Sequence, residues 1–251
     1  LIEMKTAYPS HCYPDTNVVI GRARKMDVRH RAVVQALAFR ALADIKVLRT
    51  VYVESINVVS KKNQRALREI QAEMLLVAST NGISPQIFSE SHMDQILKIA
   101  RSNVDKDVLT YFESIELLIK TMMKQGLDPF TTMGYVGDCA TQQDRRSIGD
   151  VFLTDSVDDC VGCVDGRQLN LMREAESLLK SSSSFFDDKL NSRDREIAAE
   201  AMVVAWDIET SRRSLFLTDD NNFYDALYNS IKIVAAKKGF DPERFSVKKV
   251  L

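Results

Sequence analysis

The sequence predicts an all-α protein, an irregular bundle of roughly seven to nine helices with a long acidic loop in its middle. Three observations carry that expectation. Apolar residues recur at three- and four-residue steps, most clearly from Asp105 to Pro129, where Val108, Leu109, Phe112, Ile115, Leu118, Ile119 and Met122 define one buried stripe. Nine glycines and five prolines in 251 residues are few for the turns of a sandwich or barrel. Finally, one corner pattern occurs three times: Gly82-Ile-Ser-Pro85, Gly126-Leu-Asp-Pro129 and Gly239-Phe-Asp-Pro242. Glycine takes the left-handed conformation that ends a helix, Ser or Asp caps the next one, and Pro suits its first position. The corners are 44 and then 113 residues apart, so they share local chemistry rather than a repeat.

In chain order, Leu1 to Gly21 reads as an irregular arm, broken by Pro9 and Pro14. A long helix is expected from about Asp27 to Val59, with Val33, Val34, Leu37, Ala38, Ala41, Leu42, Ile45, Leu48, Tyr52 and Ile56 on its apolar face. Val47 to Val59 is rich in valine, so a strand is the alternative there. Lys61 to Ala78 forms a second helix and Ser91 to Asn103 a short one. Asp138 to Gly166 is rich in Asp, Gly, Ser and Thr and reads as a loop or linker, with a short helix over Thr141 to Ile148. Helices return at Arg167 to Ser182, Ser192 to Arg213, and from Thr218 and Asn221 to Lys238, before a terminal turn and tail from Asp241. The Ser181–Ser184 run reads as a tether. The domain expectation is therefore a helical part over 1–137 with its arm at 1–21, a linker at 138–166, and a helical part over 167–251, or one continuous domain.

The composition, 45% hydrophobic and 27% charged, is that of a globular chain rather than a disordered one. The most apolar stretch, Val33 to Val59, carries Arg40, Asp44, Lys46, Arg49 and Glu54, which excludes an ordinary membrane span. With no leading apolar run like a signal peptide, the expected location is cytoplasmic. The net charge of −1 hides an asymmetry. Leu1 to Arg68 holds 13 basic and 5 acidic residues, whereas Asp128 to Asp188 holds 5 and 12. Opposite charge on two stretches of one chain suits contact within or between molecules.

Cys160-Val-Gly-Cys163 has the gap that lets two thiolates grip a zinc ion, with Cys139 as the third ligand and Cys12 or His11 to complete a tetrahedron. Asp158, Asp159 and Asp165 crowd that loop and work against thiolates. The acids Asp155, Asp158 and Asp159 lack the spacing of a calcium loop. Asp219, Asp220, Asn221 and Asn222 resemble a cation site, but they stand at a helix start, where capping accounts for them. Gly134-Tyr-Val-Gly137 lacks the lysine and setting of a phosphate loop, and His11, His30 and His92 fall in no catalytic order. The basic segment Arg22, Arg24, Lys25, Arg29 and Arg31 is the candidate nucleic-acid face.

With no reactive constellation visible, the expected function is a non-enzymatic helical subunit of a larger assembly, binding a protein partner or itself, without a cofactor. A nucleic-acid binder using the basic segment and a zinc-binding helical protein are the two alternatives.

Overall fold

The computed structural model describes residues 9–38, 44–154, 156–182, 191–209 and 213–250. The first eight residues of the expected arm, Arg40, Ala41 and Leu42 of the expected long helix, Asp155, and Ser183–Ser184 lie outside them. The described chain is mostly helical, with nine α-helices, but it is not purely α, because four parallel strands form a small sheet. No described helix is long and apolar enough to cross a membrane.

The chain folds as two compact units. One comprises Leu1–Ser55 and Ile148–Leu251, the other Ile56–Ser147. Of the stretch expected as a linker, 138–166, the part up to Phe152 belongs to helix α6 (Pro129–Phe152). Helix α7 (Gly166–Ser182) follows a segment, 153–165, whose only element among the described residues is the 3₁₀ turn Val157–Asp159. Asp144 of α6 is buried and accepts a hydrogen bond from Asn63 Nδ2 at 2.9 Å.

The first unit contains the sheet. Strand β1 is His11–Pro14, β2 Asp44–Ile45, β3 Ser214–Thr218 and β4 Phe245–Lys249, in the order β2-β1-β3-β4. His11 pairs with Asp44 on one side and Ser214 on the other, and Ser214 pairs with Phe245. Every residue of β1 and β3 is buried, the continuous buried run of a central parallel strand rather than an alternating one. Helix α1 (Thr16–Ala23) and helix α2 (His30–Ala38) connect β1 to β2. The expected helix from Asp27 to Val59 is therefore broken by β2, and helix α3 begins only at Arg49. It then runs unbroken to Asn81, through the expected junction near Ser60 and through the valine-rich stretch. Helix α8 (Ser192–Val203) continues into a π-helical turn over Val204–Ile208, and helix α9 (Asn221–Lys238) connects β3 to β4. Ile197 through Trp206 is buried without interruption, so α8 and its extension are wrapped on all sides. Tyr13, Phe216, Leu217, Phe223, Leu227 and Val234 fill the core beside the sheet, with Phe216 and Phe223 edge to face at 5.4 Å.

The second unit is helical: the rest of α3, helix α4 (Glu90–Asn103), helix α5 (Leu109–Lys124) and α6 to Ser147. Ile70, Met74, Met93, Ile96, Leu97, Phe112, Ile115 and Ile119 form its core. At the three corners Gly82, Gly126 and Gly239 have φ of 62°, 88° and 70°, the left-handed region. Asp128 and Asp241 cap the turn that follows, whereas Ser84 makes no side-chain cap and Pro85 opens only a three-residue 3₁₀ turn.

Candidate functional site

Parallel strands bring their carboxyl ends to one edge. β1 and β3 are neighbours, yet the connection after β1 leads to β2 on one side and that after β3 to β4 on the other. Strand order thus reverses between them, the position in an open parallel sheet where ligands commonly bind. Each of the two strands runs straight into acid there. Pro14 of β1 is followed by Asp15, and Thr218 of β3 by Asp219 and Asp220.

Asp15 is the deepest of these groups, 4% exposed. Its Oδ1 accepts from Val18 N at 2.8 Å and so caps α1, while Oδ2 accepts from the Thr218 hydroxyl across the strand pair. Burial pushes its carboxyl up to about 7; the two hydrogen bonds oppose that shift, and the charge of Asp219 adds to it. Asp219 is half-buried and also raised, first by burial and then by Asp27 and Asp220, against Arg29. Asp220 Oδ1 caps α9 through Phe223 N at 3.0 Å, as the sequence suggested for this cluster. Two more carboxylates arrive from separate elements. Asp194, in the first turn of α8, closes a capping box with Asn191. Burial raises its proton affinity, and the charges of Glu54 and Asp220 raise it further, with Arg195 opposing. Glu54, on α3, accepts from the Thr16 hydroxyl at the start of α1.

Asp15, Glu54, Asp194, Asp219 and Asp220 thus come from four separate segments of the chain, and neighbouring members of the set act on one another electrostatically at one edge. Arg29 is the cation acting on Asp15 and Asp219, and Asp27 holds it through Nε at 3.0 Å and Nη2 at 2.9 Å. Burial would raise Asp27, but the doubly bonded guanidinium outweighs it and lowers the carboxyl. Among the described residues, no group of three or more carboxylate, imidazole or thiol side chains is placed to hold a metal ion.

The sequence-level candidates fall elsewhere or in part. Of the basic residues, Arg29 faces the acid edge; Lys25 and Arg31 are exposed, Arg22 is half-buried, and Arg24 is 7% exposed and so unfit as a surface contact. Cys139 lies on α6 in the helical unit, whereas Cys160 and Cys163 lie in the sheet-containing unit. None of the four cysteines is in a disulfide. Burial first, then Glu200, pushes the Cys160 and Cys163 thiols up to about 12. Glu200 itself serves the fold: 2% exposed, it accepts from Thr50 N at 2.9 Å, the Thr50 hydroxyl and Cys163 N at 3.4 Å, anchoring the start of α3. No protein-family model matches the chain, and comparison with curated proteins and with solved structures finds no match.

Proposed function

We propose that this protein is a divalent-cation-dependent phosphodiester hydrolase acting on nucleic acid. The observation that carries the reading is the convergence of carboxylates from four separate segments on the edge where strand order reverses. The set is oxygen-only. Hard carboxylate oxygens suit Mg²⁺ or Mn²⁺ rather than zinc, and Mg²⁺ takes one or two carboxylates, waters and substrate phosphate rather than a full protein cage. A cation held there would polarise a phosphate oxygen and make a bound water more acidic.

The chain's own groups divide the work. Asp15 is fixed on both oxygens and supplies a rigid anchor. Asp219 and Asp194, half-buried and raised, are the groups whose repulsion a cation relieves most. Glu54 or Asp194 accepts the proton as water oxygen bonds to phosphorus; the bond from phosphorus to the ester oxygen breaks, and the leaving oxygen takes a proton from solvent. Arg29 sits to attract the phosphate, which joins this reading to the basic segment singled out in the sequence. The test is cleavage of end-labelled RNA and DNA oligonucleotides with Mg²⁺ or Mn²⁺ against EDTA. Cation-dependent cleavage that falls at least about 100-fold in Asp194→Asn supports the reading; no cleavage of any strand with either metal sinks it.

A second reading, self-association as a structural subunit, draws support from the helical unit. Met74, Leu75, Pro85, Phe130 and Met133 line an apolar hollow of about 340 Å³, and Leu75 and Phe130 are 66% and 59% exposed. Light scattering across a salt series tests it: a second copy seated there gives a dimer that Phe130→Glu dissolves, and a monomer at every concentration ends it.

A further inference from the structure

Beyond the acid edge, a stripe of side chains runs along α9. Tyr224 N donates to Asp220 O at 2.9 Å, so Tyr224 lies one turn past the cap. Tyr228 and Lys232 follow at four-residue steps, on the same face. The rings of Tyr224 and Tyr228 stack, with centroids 5.7 Å apart and planes 19° apart. The Nζ of Lys249, the last residue of β4, stands 4.8 Å from the centre of the Tyr224 ring. Because β4 pairs in parallel with β3, Lys249 lies in register with Thr218, which places it at the same carboxyl edge as the acids. Tyr228 is 59% exposed, and Lys232, Lys248 and Lys249 are exposed.

None of this is core. Phe223, Leu227 and Val234 supply the buried face of α9, and the tyrosines lie off it. The two rings cover one face of each other and Lys249 stands over Tyr224, so exposed Tyr228 offers its outer face. That face matches the chemistry of a single strand, whose unpaired bases stack on aromatic rings while cations track its phosphates. A duplex keeps its bases stacked inside and offers those rings nothing. Asp220 to Tyr228 spans about 12 Å along the helix axis, enough for a few nucleotides.

We infer that the Tyr224–Tyr228 stripe of α9, flanked by Lys232 and Lys249, is the path of a single nucleic-acid strand, leading its backbone to the carboxyl-edge acids. This rests on the phosphodiesterase reading for what happens at the acids, but the binding is testable without it. The probes are fluorescein-labelled oligo-uridine and oligo-thymidine of about twelve nucleotides and a labelled duplex of equal length. Anisotropy is read in EDTA, where no cation supports cleavage. The wild-type chain is expected to hold a single strand at least tenfold more tightly than the duplex. Tyr228→Ala is expected to weaken that binding about tenfold and Tyr228→Phe to restore it; Tyr228 is exposed, and circular dichroism checks that each variant folds. In cleavage with Mn²⁺, Tyr228→Ala raises KM and leaves kcat in place. Binding that ignores Tyr228→Ala, or that favours the duplex, overturns the strand path. Tyr228-dependent strand binding without cleavage under any metal supports the path and removes the hydrolase. Cleavage that is unchanged in Tyr228→Ala does the reverse.

Discussion

The two edges of one small sheet differ in how they balance charge. At the amino edge, His11 Nε2 lies 3.1 Å from Glu209, and Lys46 Nζ lies 2.7 Å from Glu209 and 3.6 Å from Asp44. There Lys46 bridges the two acids, and the His11 imidazole stands beside Glu209. At the carboxyl edge, Asp15, Asp27, Glu54, Asp194, Asp219 and Asp220 meet Arg24, Arg29 and Arg195 among the described residues, and Arg29 is bound by Asp27. The same strands create both edges, so topology alone does not explain the difference. Burial raises Asp15, Asp194 and Asp219, and neighbouring acids add to the shift, whereas at Asp27 burial is outweighed by the bound Arg29 guanidinium, which lowers the carboxyl. The amino-edge group serves stability; an edge with more acids than arginines, at the strand reversal, is where a cation and an anionic substrate would bind.

The sharpest way to break the comparison is to neutralise one group on each edge. Asp194→Asn is expected to lower strand cleavage at least about 100-fold, while Lys46→Ala leaves it within about twofold, since partly exposed ion pairs contribute about 0–1 kcal/mol to stability and nothing to the far edge. Equal losses from both would erase the distinction between the edges.

A smaller effect separates buried carboxylates that serve the fold from those that strain it. Glu200→Gln puts an amide where donors now converge, and Gly162→Ala would set a Cβ 2.6 Å from Glu200 Oε1 and 2.7 Å from Arg49 Cβ. Each should cost about 1–3 kcal/mol in urea unfolding, with Mn²⁺ binding retained.

Asp15→Asn should do the opposite. Its carboxyl is raised from 3.8 to about 7, so between those pH values the folded state keeps a proton that the unfolded state releases. Stability therefore falls as pH rises through that window, and above about 7 the penalty is complete. The asparagine keeps the α1 cap and carries no charge. It should unfold about 1–3 kcal/mol later than wild type at pH 8 and show little difference at pH 4. A variant less stable than wild type at pH 8 would mean that the carboxylate is well paired after all.

Much of the helical framework was legible. The three glycine corners carry positive φ, and the Asp105–Pro129 stripe holds helix α5 with Phe112, Ile115 and Ile119 fully buried. The sheet was not legible, for a physical reason. β1 is four residues long and ends in Pro14, which looks like a breaker but is tolerated as the last strand residue. β3, Ser-Leu-Phe-Leu-Thr, is buried on both faces and so lacks alternation. β2 is two residues inside a pattern that continues at helical spacing. Two signals were present: His-Cys-Tyr-Pro-Asp and Leu-Phe-Leu-Thr-Asp-Asp are each a short apolar run, then acid, then a helix start. Asp219 and Asp220 were noticed in the sequence and explained by capping, which is true of Asp220. What sequence spacing could not convey is that Asp219 looks across a strand pair at Asp15, two hundred and four residues earlier.

Manganese binding, followed by the loss of the free-ion electron paramagnetic resonance signal, tests the carboxyl-edge site most directly. Wild-type protein at pH 8 should bind Mn²⁺ saturably, bind it more weakly at pH 5.5 where Asp15 holds its proton, and lose it in Asp15→Asn. Protein that leaves the free Mn²⁺ signal unchanged at pH 8, or that binds the ion equally well in Asp15→Asn, would contradict a cation site at this edge.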